Sequence, residues 1–90
     1  MPDRFVRNAK VEVAPMKDET VLFNPSNNKF CVLNATAAYI WQSLARPQSA
    51  HELALAITGN FANVGLEQAE QDVQRALAEL QRVECIVYPE

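Results

Sequence analysis

The chain has a single histidine, His51, and two cysteines, Cys31 and Cys85, which lie far apart with no second ligating side chain near either. A metal site or a Cys–His dyad therefore has almost no raw material. Basic clusters are also missing. Eight Lys and Arg against eleven Asp and Glu give a formal charge of −3, and the basic residues scatter from Arg4 to Arg82 with no run or stripe. That distribution disfavours nucleic acid as a partner. No stretch is apolar for long enough to span a bilayer. Residues 1–10 mix Asp3, Arg4, Arg7 and Lys10 without the apolar segment of a signal peptide. The expectation is a cytoplasmic chain off the membrane, with no metal and no cofactor. Both cysteines are expected to be reduced and buried as small hydrophobes, although the sequence leaves a Cys31–Cys85 disulfide open.

What is present suits one small domain over residues 1–90, with 49% of the residues hydrophobic and 21% charged. A chain of this size buries only about 60–65% of its unfolded surface, so a partner or a second copy stays open as a source of further contacts.

The first third has the period of two that strands require. Lys10 to Val13 alternates polar and apolar, and Glu19 to Phe23 is β-branched and aromatic between Asp18 and Asn24. Asn24-Pro25-Ser26-Asn27-Asn28 concentrates turn formers, and Lys29 to Leu33 resumes the extended pattern, a hairpin signal. At Asn34 the period becomes helical, with Asn34 as N-cap and Ala37, Ile40, Trp41 and Leu44 on one face, ending before Pro47. Ser49 and Glu52 form a capping box ahead of Leu53, Ile57 and Phe61. Both glycines lie in or beside the loop that follows. A third helix restarts near Leu66 with an apolar stripe of Ala69, Val73, Ala76, Leu77, Leu80 and Val83, and with Glu67 and Glu70 near its positive end. Cys85 to Tyr88 reads as a short closing strand or ordered tail before Pro89. Strands followed by helices indicate an α+β fold: an N-terminal three-stranded antiparallel sheet and then a three-helix bundle, winged-helix-like.

Taken in order, Asn24-Pro25, Lys29-Phe30-Cys31-Val32-Leu33-Asn34, Ala37-Ala38-Tyr39-Ile40-Trp41, Leu44, Ser49, Glu52-Leu53, Asp72-Val73, Leu77 and Leu80 resemble the PqqD-like family over nearly the whole chain. The most specific part is the Leu33-Asn34 pair, which closes a strand and caps a helix carrying Ile40-Trp41. The resemblance implies a non-catalytic recognition domain for ribosomally made, post-translationally modified peptides. In that family the leader of a precursor adds as a strand beside the third strand, with the third helix as the opposite wall. It also implies a separate modifying enzyme as partner, such as a radical-SAM maturase. The chain departs from the family's common Asp-Gly turn before the second helix, having Ala45-Arg46-Pro47-Gln48, and from the glycine after the third, having Arg82-Val83-Glu84-Cys85. Pyrroloquinoline quinone synthesis and other peptide-maturation pathways both remain open.

On that resemblance the peptide-binding candidates are Lys29, Phe30, Cys31, Val32 and Leu33 on the strand, and Gln68, Asp72, Arg75 and Glu79 at helical spacing on the polar side of the third helix. Asp72 and Arg75 are expected as a charged pair that orients a bound strand. The same four helix residues also fit a solvated face with ordinary intrahelical pairs. Phe30 and Val32 share one strand face and Cys31 and Leu33 the other, and periodicity does not say which faces the core. Trp41 belongs to the core stripe, and His51 to an exposed first turn without a catalytic role. The competing class is a winged-helix DNA-binding regulator. Against it, the third helix sets Arg75 and Arg82 beside Glu67, Glu70, Asp72 and Glu79, a balance that repels phosphates.

Overall fold

The structure is a computed structural model that describes residues 4–17 and 19–89. Asp18, which bounds the second predicted strand, and Asp3 lie outside the described residues. The element order is β1 (Arg4–Arg7), β2 (Glu12–Pro15), β3 (Thr20–Asn24), β4 (Lys29–Leu33), α1 (Ala35–Ser43), β5 (Gln48–Ser49), α2 (Ala50–Asn60), α3 (Leu66–Arg82) and β6 (Ile86–Val87).

The three predicted strands form one antiparallel sheet in the order β2-β3-β4, with Leu22 opposite Cys31 and Phe23 opposite Phe30. The Lys29–Leu33 strand falls where the extended pattern after the turn placed it, whereas the first predicted strand sits two residues later, at Glu12–Pro15. The β3–β4 turn works through asparagine chemistry. Asn28 sits at φ 59, in the left-handed region that asparagine tolerates, and the Asn24 and Asn27 side-chain oxygens accept from the Ser26 and Lys29 amides. Leu22, Cys31 and Leu33 are buried, while Phe30 is 64% and Val32 49% exposed, so Cys31 and Leu33 face the core.

α1 and α2 begin where their side-chain caps dictate. The Asn34 side chain accepts from the Ala37 amide at 2.8 Å to start α1. At α2 the capping box is complete: Ser49 Oγ accepts from the Glu52 amide at 3.1 Å, and Glu52 Oε1 accepts from the Ser49 amide at 2.8 Å. The Ser49 contacts hold the Glu52 carboxyl below its ordinary range, with the backbone hydrogen bond the largest cause. The α3 stripe buries Ala69, Val73, Leu77 and Leu80 against Ile40, Trp41 and Leu44 of the α1 segment and Leu53 and Ile57 of α2. Ala76 is only half-buried, at the edge of that stripe.

A second, smaller sheet went unannounced by the sequence. β1 pairs antiparallel with both β5 and β6, in the order β5-β1-β6, and so ties residues 4–7 to the α1–α2 connection and to the C-terminal segment. The Arg7 guanidinium lies 5.4 Å from the Trp41 ring centroid, and Phe5 packs on Tyr88 with centroids 5.3 Å apart. Cys31 and Cys85 are buried and free. Among the described residues no helix is long and apolar enough to cross a membrane.

Candidate functional site

β4 is an edge strand, paired with β3 on one side only among the described residues. Alternate residues along such an edge point unpaired N–H and C=O groups outward, ready to accept another strand. β2 is the other edge of the same sheet, but it includes Pro15, which has no N–H to contribute. β4 has none, so β4 is the better acceptor.

The open edge of β4 looks across a cleft of about 240 Å³ at α3, and the first turn of α1 closes one end. The lining comprises Cys31, Val32 and Leu33 from β4, Asn34, Thr36 and Ala37 at the start of α1, and Asp72, Arg75, Ala76 and Glu79 from α3. Local sequence explains this shape. Asn34 ends the strand and caps the helix, so the chain turns sharply there, and the small side chains of Ala37 and Ala76 leave room between the walls.

Six of the predicted residues therefore converge: Cys31, Val32, Leu33, Asp72, Arg75 and Glu79. Lys29, Phe30 and Gln68 do not line the cleft. Lys29 and Phe30 continue the same edge beyond it, and Phe30 lies on the outer sheet face with Val32. Asn34, Thr36, Ala37 and Ala76 were missed as site residues, Asn34 because it was read only as a cap and the other three because small side chains on a helix carry no signal of their own.

Asp72 and Arg75 are not ion-paired with each other among the described residues. Asp72 Oδ1 instead accepts from Gln68 Nε2 at 2.9 Å, one turn earlier, since the i, i+4 spacing brings these two short groups together. Glu79 accepts from Arg82 at 2.5 and 3.3 Å. Arg82 holds the Glu79 carboxyl below its ordinary range and is itself raised by it. Arg75 makes no ion pair or side-chain hydrogen bond among the described residues, so its guanidinium is available at the cleft wall.

Cys31 is the one thiol in the cleft. Burial first, and the Glu79 charge second, push its pKa up, partly offset by Arg82. The thiol is therefore protonated at neutral pH and a poor nucleophile. No cluster of His, Cys, Asp and Glu suited to a metal ion occurs among the described residues. The outward face of α3 carries Glu67 and Glu70 as well as Arg75 and Arg82, mixed charge that does not suit a phosphate backbone. What the cleft can do chemically is bind an extended chain, by backbone pairing along β4 and side-chain burial against α3.

The family model for coenzyme PQQ synthesis protein D (PqqD) matches residues 19–86, which include all of β3, β4 and the three helices. A lasso peptide synthetase B1 solved with its leader peptide is 26% identical, with a TM-score of 0.74, and the match covers 94% of this chain and 98% of that one. TbiB1, solved in complex with the TbiA(beta) leader peptide, shares the fold at 24% identity and a TM-score of 0.76, over 94% of this chain and 99% of that one. No curated protein sequence matches.

Proposed function

The chain belongs to the PqqD family, and from that premise we propose that it is a peptide-binding adaptor, without catalytic activity, that takes the leader of a ribosomally made precursor as an added strand beside β4 and presents it to a separate modifying enzyme. One observation carries the reading: an unpaired, proline-free strand edge faces a helix across an open cleft. Two solved proteins of the same fold hold leader peptides, which supports it. The enzyme partner is a radical-SAM maturase or a comparable modifying enzyme.

Energetics decide how the two halves of the site share the work. A five-residue edge presents about five outward backbone groups, each worth about 1 kcal/mol net when paired. The resulting ~5 kcal/mol falls short of the ~8 kcal/mol of micromolar binding, and ordering a flexible leader subtracts further. Backbone pairing alone is therefore insufficient. Side chains of the leader must be buried in the cleft against Leu33, Ala37 and Ala76, and that requirement is what makes the adaptor selective.

The test is a titration of isotope-labelled protein with the synthetic leader of any short precursor encoded beside its gene, followed by amide NMR. The expected result is saturable shifts concentrated at Lys29–Leu33 and at residues 72–79. Saturable binding that leaves β4 unperturbed would place the site elsewhere. Absence of binding, with sizing that shows a monomer, would remove the adaptor reading for that precursor.

A further inference from the structure

The groove between β4 and α3 is joined at its far end by asparagine side chains. α3 closes in a doubly bonded turn, in which the Glu84 amide donates to Gln81 O at 3.0 Å and the Cys85 amide to Leu80 O at 2.9 Å. Such a turn needs a left-handed residue just past the cap, where glycine is preferred because a Cβ is disfavoured. Glu84 occupies that position at φ 57.

What holds it there comes from the strand side. Asn24 Nδ2 donates to Val83 O at 3.1 Å and to Glu84 O at 3.0 Å. Asn27 Nδ2 adds bonds to Val83 O at 3.3 Å and Glu84 Oε2 at 2.9 Å, and Asn8 Nδ2 donates to Glu84 O at 3.0 Å. Asn24 is 1% exposed, the one buried polar residue among those described. Its oxygen accepts from the Ser26 amide at 2.9 Å, so one carboxamide shapes the turn into β4 with one end and caps α3 with the other.

Asn24 ends β3 and pairs with Lys29 at the start of β4, so its bonds to Val83 and Glu84 tie the hairpin that carries one groove wall to the helix that forms the other. At the Leu33 end the walls are bridged by the first turn of α1. At the Lys29 end, where the cleft lies between β4 and Glu79, the bridge is the Asn24 carboxamide on the α3 terminus. We infer that Asn24 is a positioning residue for peptide binding: it sets the separation of the β4 edge from the α3 wall, so that an added strand meets backbone partners and cleft side chains at once. This rests on the adaptor function proposed above.

The experiment separates positioning from stability. Asn24→Ala removes the latch, and Glu84→Gly relieves the left-handed residue without supplying a carboxamide. Three variants, N24A, E84G and N24A/E84G, are compared with the wild type by thermal melts, by calorimetry with a synthetic leader peptide that the wild type binds, and by amide shifts of the free proteins. N24A is expected to melt lower and to bind at least tenfold more weakly at a temperature where it is folded. E84G alone keeps both Asn24 bonds to backbone carbonyls and loses only the Asn27 contact to Glu84 Oε2, so it should bind within about threefold of the wild type. The double variant should regain melting temperature yet keep the tenfold weakness, with free-protein shifts displaced at residues 29–33 and 72–79. Affinity that returns along with melting temperature, or that stays within twofold of wild type in N24A, overturns the inference.

If neither Asn24 variant folds, Asn27→Ala decides, with a smaller loss of affinity at near-native stability expected and no loss overturning. If the wild type binds no leader, it is the adaptor function that has failed. The free-protein shifts then judge the positioning separately, and shifts unchanged across the groove reject it.

Discussion

Replacing Ala76 with phenylalanine tests whether the cleft, and not merely the strand edge, recognises the peptide. Ala76 is half-buried on the α3 wall, and a phenyl ring built there projects into a space of about 240 Å³. The ring would occupy the volume a leader side chain needs. Burying one Val, Leu, Ile or Phe side chain is worth about 1.5–3 kcal/mol, so losing one subsite should weaken binding by about 10- to 150-fold. The competing effect is on the helix itself, where exchanging alanine for phenylalanine costs about 0.5 kcal/mol of propensity, too little to unfold the domain. Ala78→Phe supplies the control, since Ala78 is exposed on the same helix and does not line the cleft. Calorimetric titration of both variants with the leader should show a large loss for Ala76→Phe and near-native affinity for Ala78→Phe. Equal affinities within roughly threefold, about 0.7 kcal/mol, would refute side-chain recognition by this cleft.

Other consequences follow from single groups. Arg75→Ala should weaken leader binding by no more than about fivefold at low salt, with the difference vanishing at high salt, because the guanidinium is exposed and screened; a salt-independent loss would contradict an electrostatic role. Ser49→Ala dismantles the α2 capping box and should cost about 1 kcal/mol, or about 4–8 °C in melting temperature, while leaving leader affinity intact, since α2 does not line the cleft. The buried thiols give a pH dependence. Burial, with the Cys31 charge second, pushes Cys85 from its ordinary 9.0 up to about 11, so the folded state holds its proton more tightly than the unfolded chain does. That contribution is complete below about pH 9 and is lost as pH rises through about 11, so melting temperature should fall across this window, and Cys85→Ala should flatten the fall.

Much of the site was legible along the chain because its signals are local. Lys29–Leu33 is extended after a turn, Asn34 caps, and α3 shows an uninterrupted apolar stripe, so the strand and the helix were legible locally, and the resemblance to the PqqD-like family implied that they are the two walls. The pairing of side chains across the helix surface was less legible. Asp72 has Gln68 and Arg75 within reach at helical spacing, and the sequence offers no means of choosing between them. β1 went unnoticed because four residues without alternation give no periodic signal, and its partners lie more than forty positions away in β5 and β6.

Sequence by itself determined the element types and their order, because strand alternation, capping and helical periodicity act over a few neighbouring residues. It also determined, through the resemblance of Asn24 to Leu80, the family. Only the tertiary structure decided that Cys31 and Leu33 turn inward while Phe30 and Val32 face out, that Ala37 and Ala76 open a cleft, and that Asn24 reaches across to Val83 and Glu84. Those outcomes depend on which face of each element the shared core claims. That is a property of the packed elements together and of no single segment.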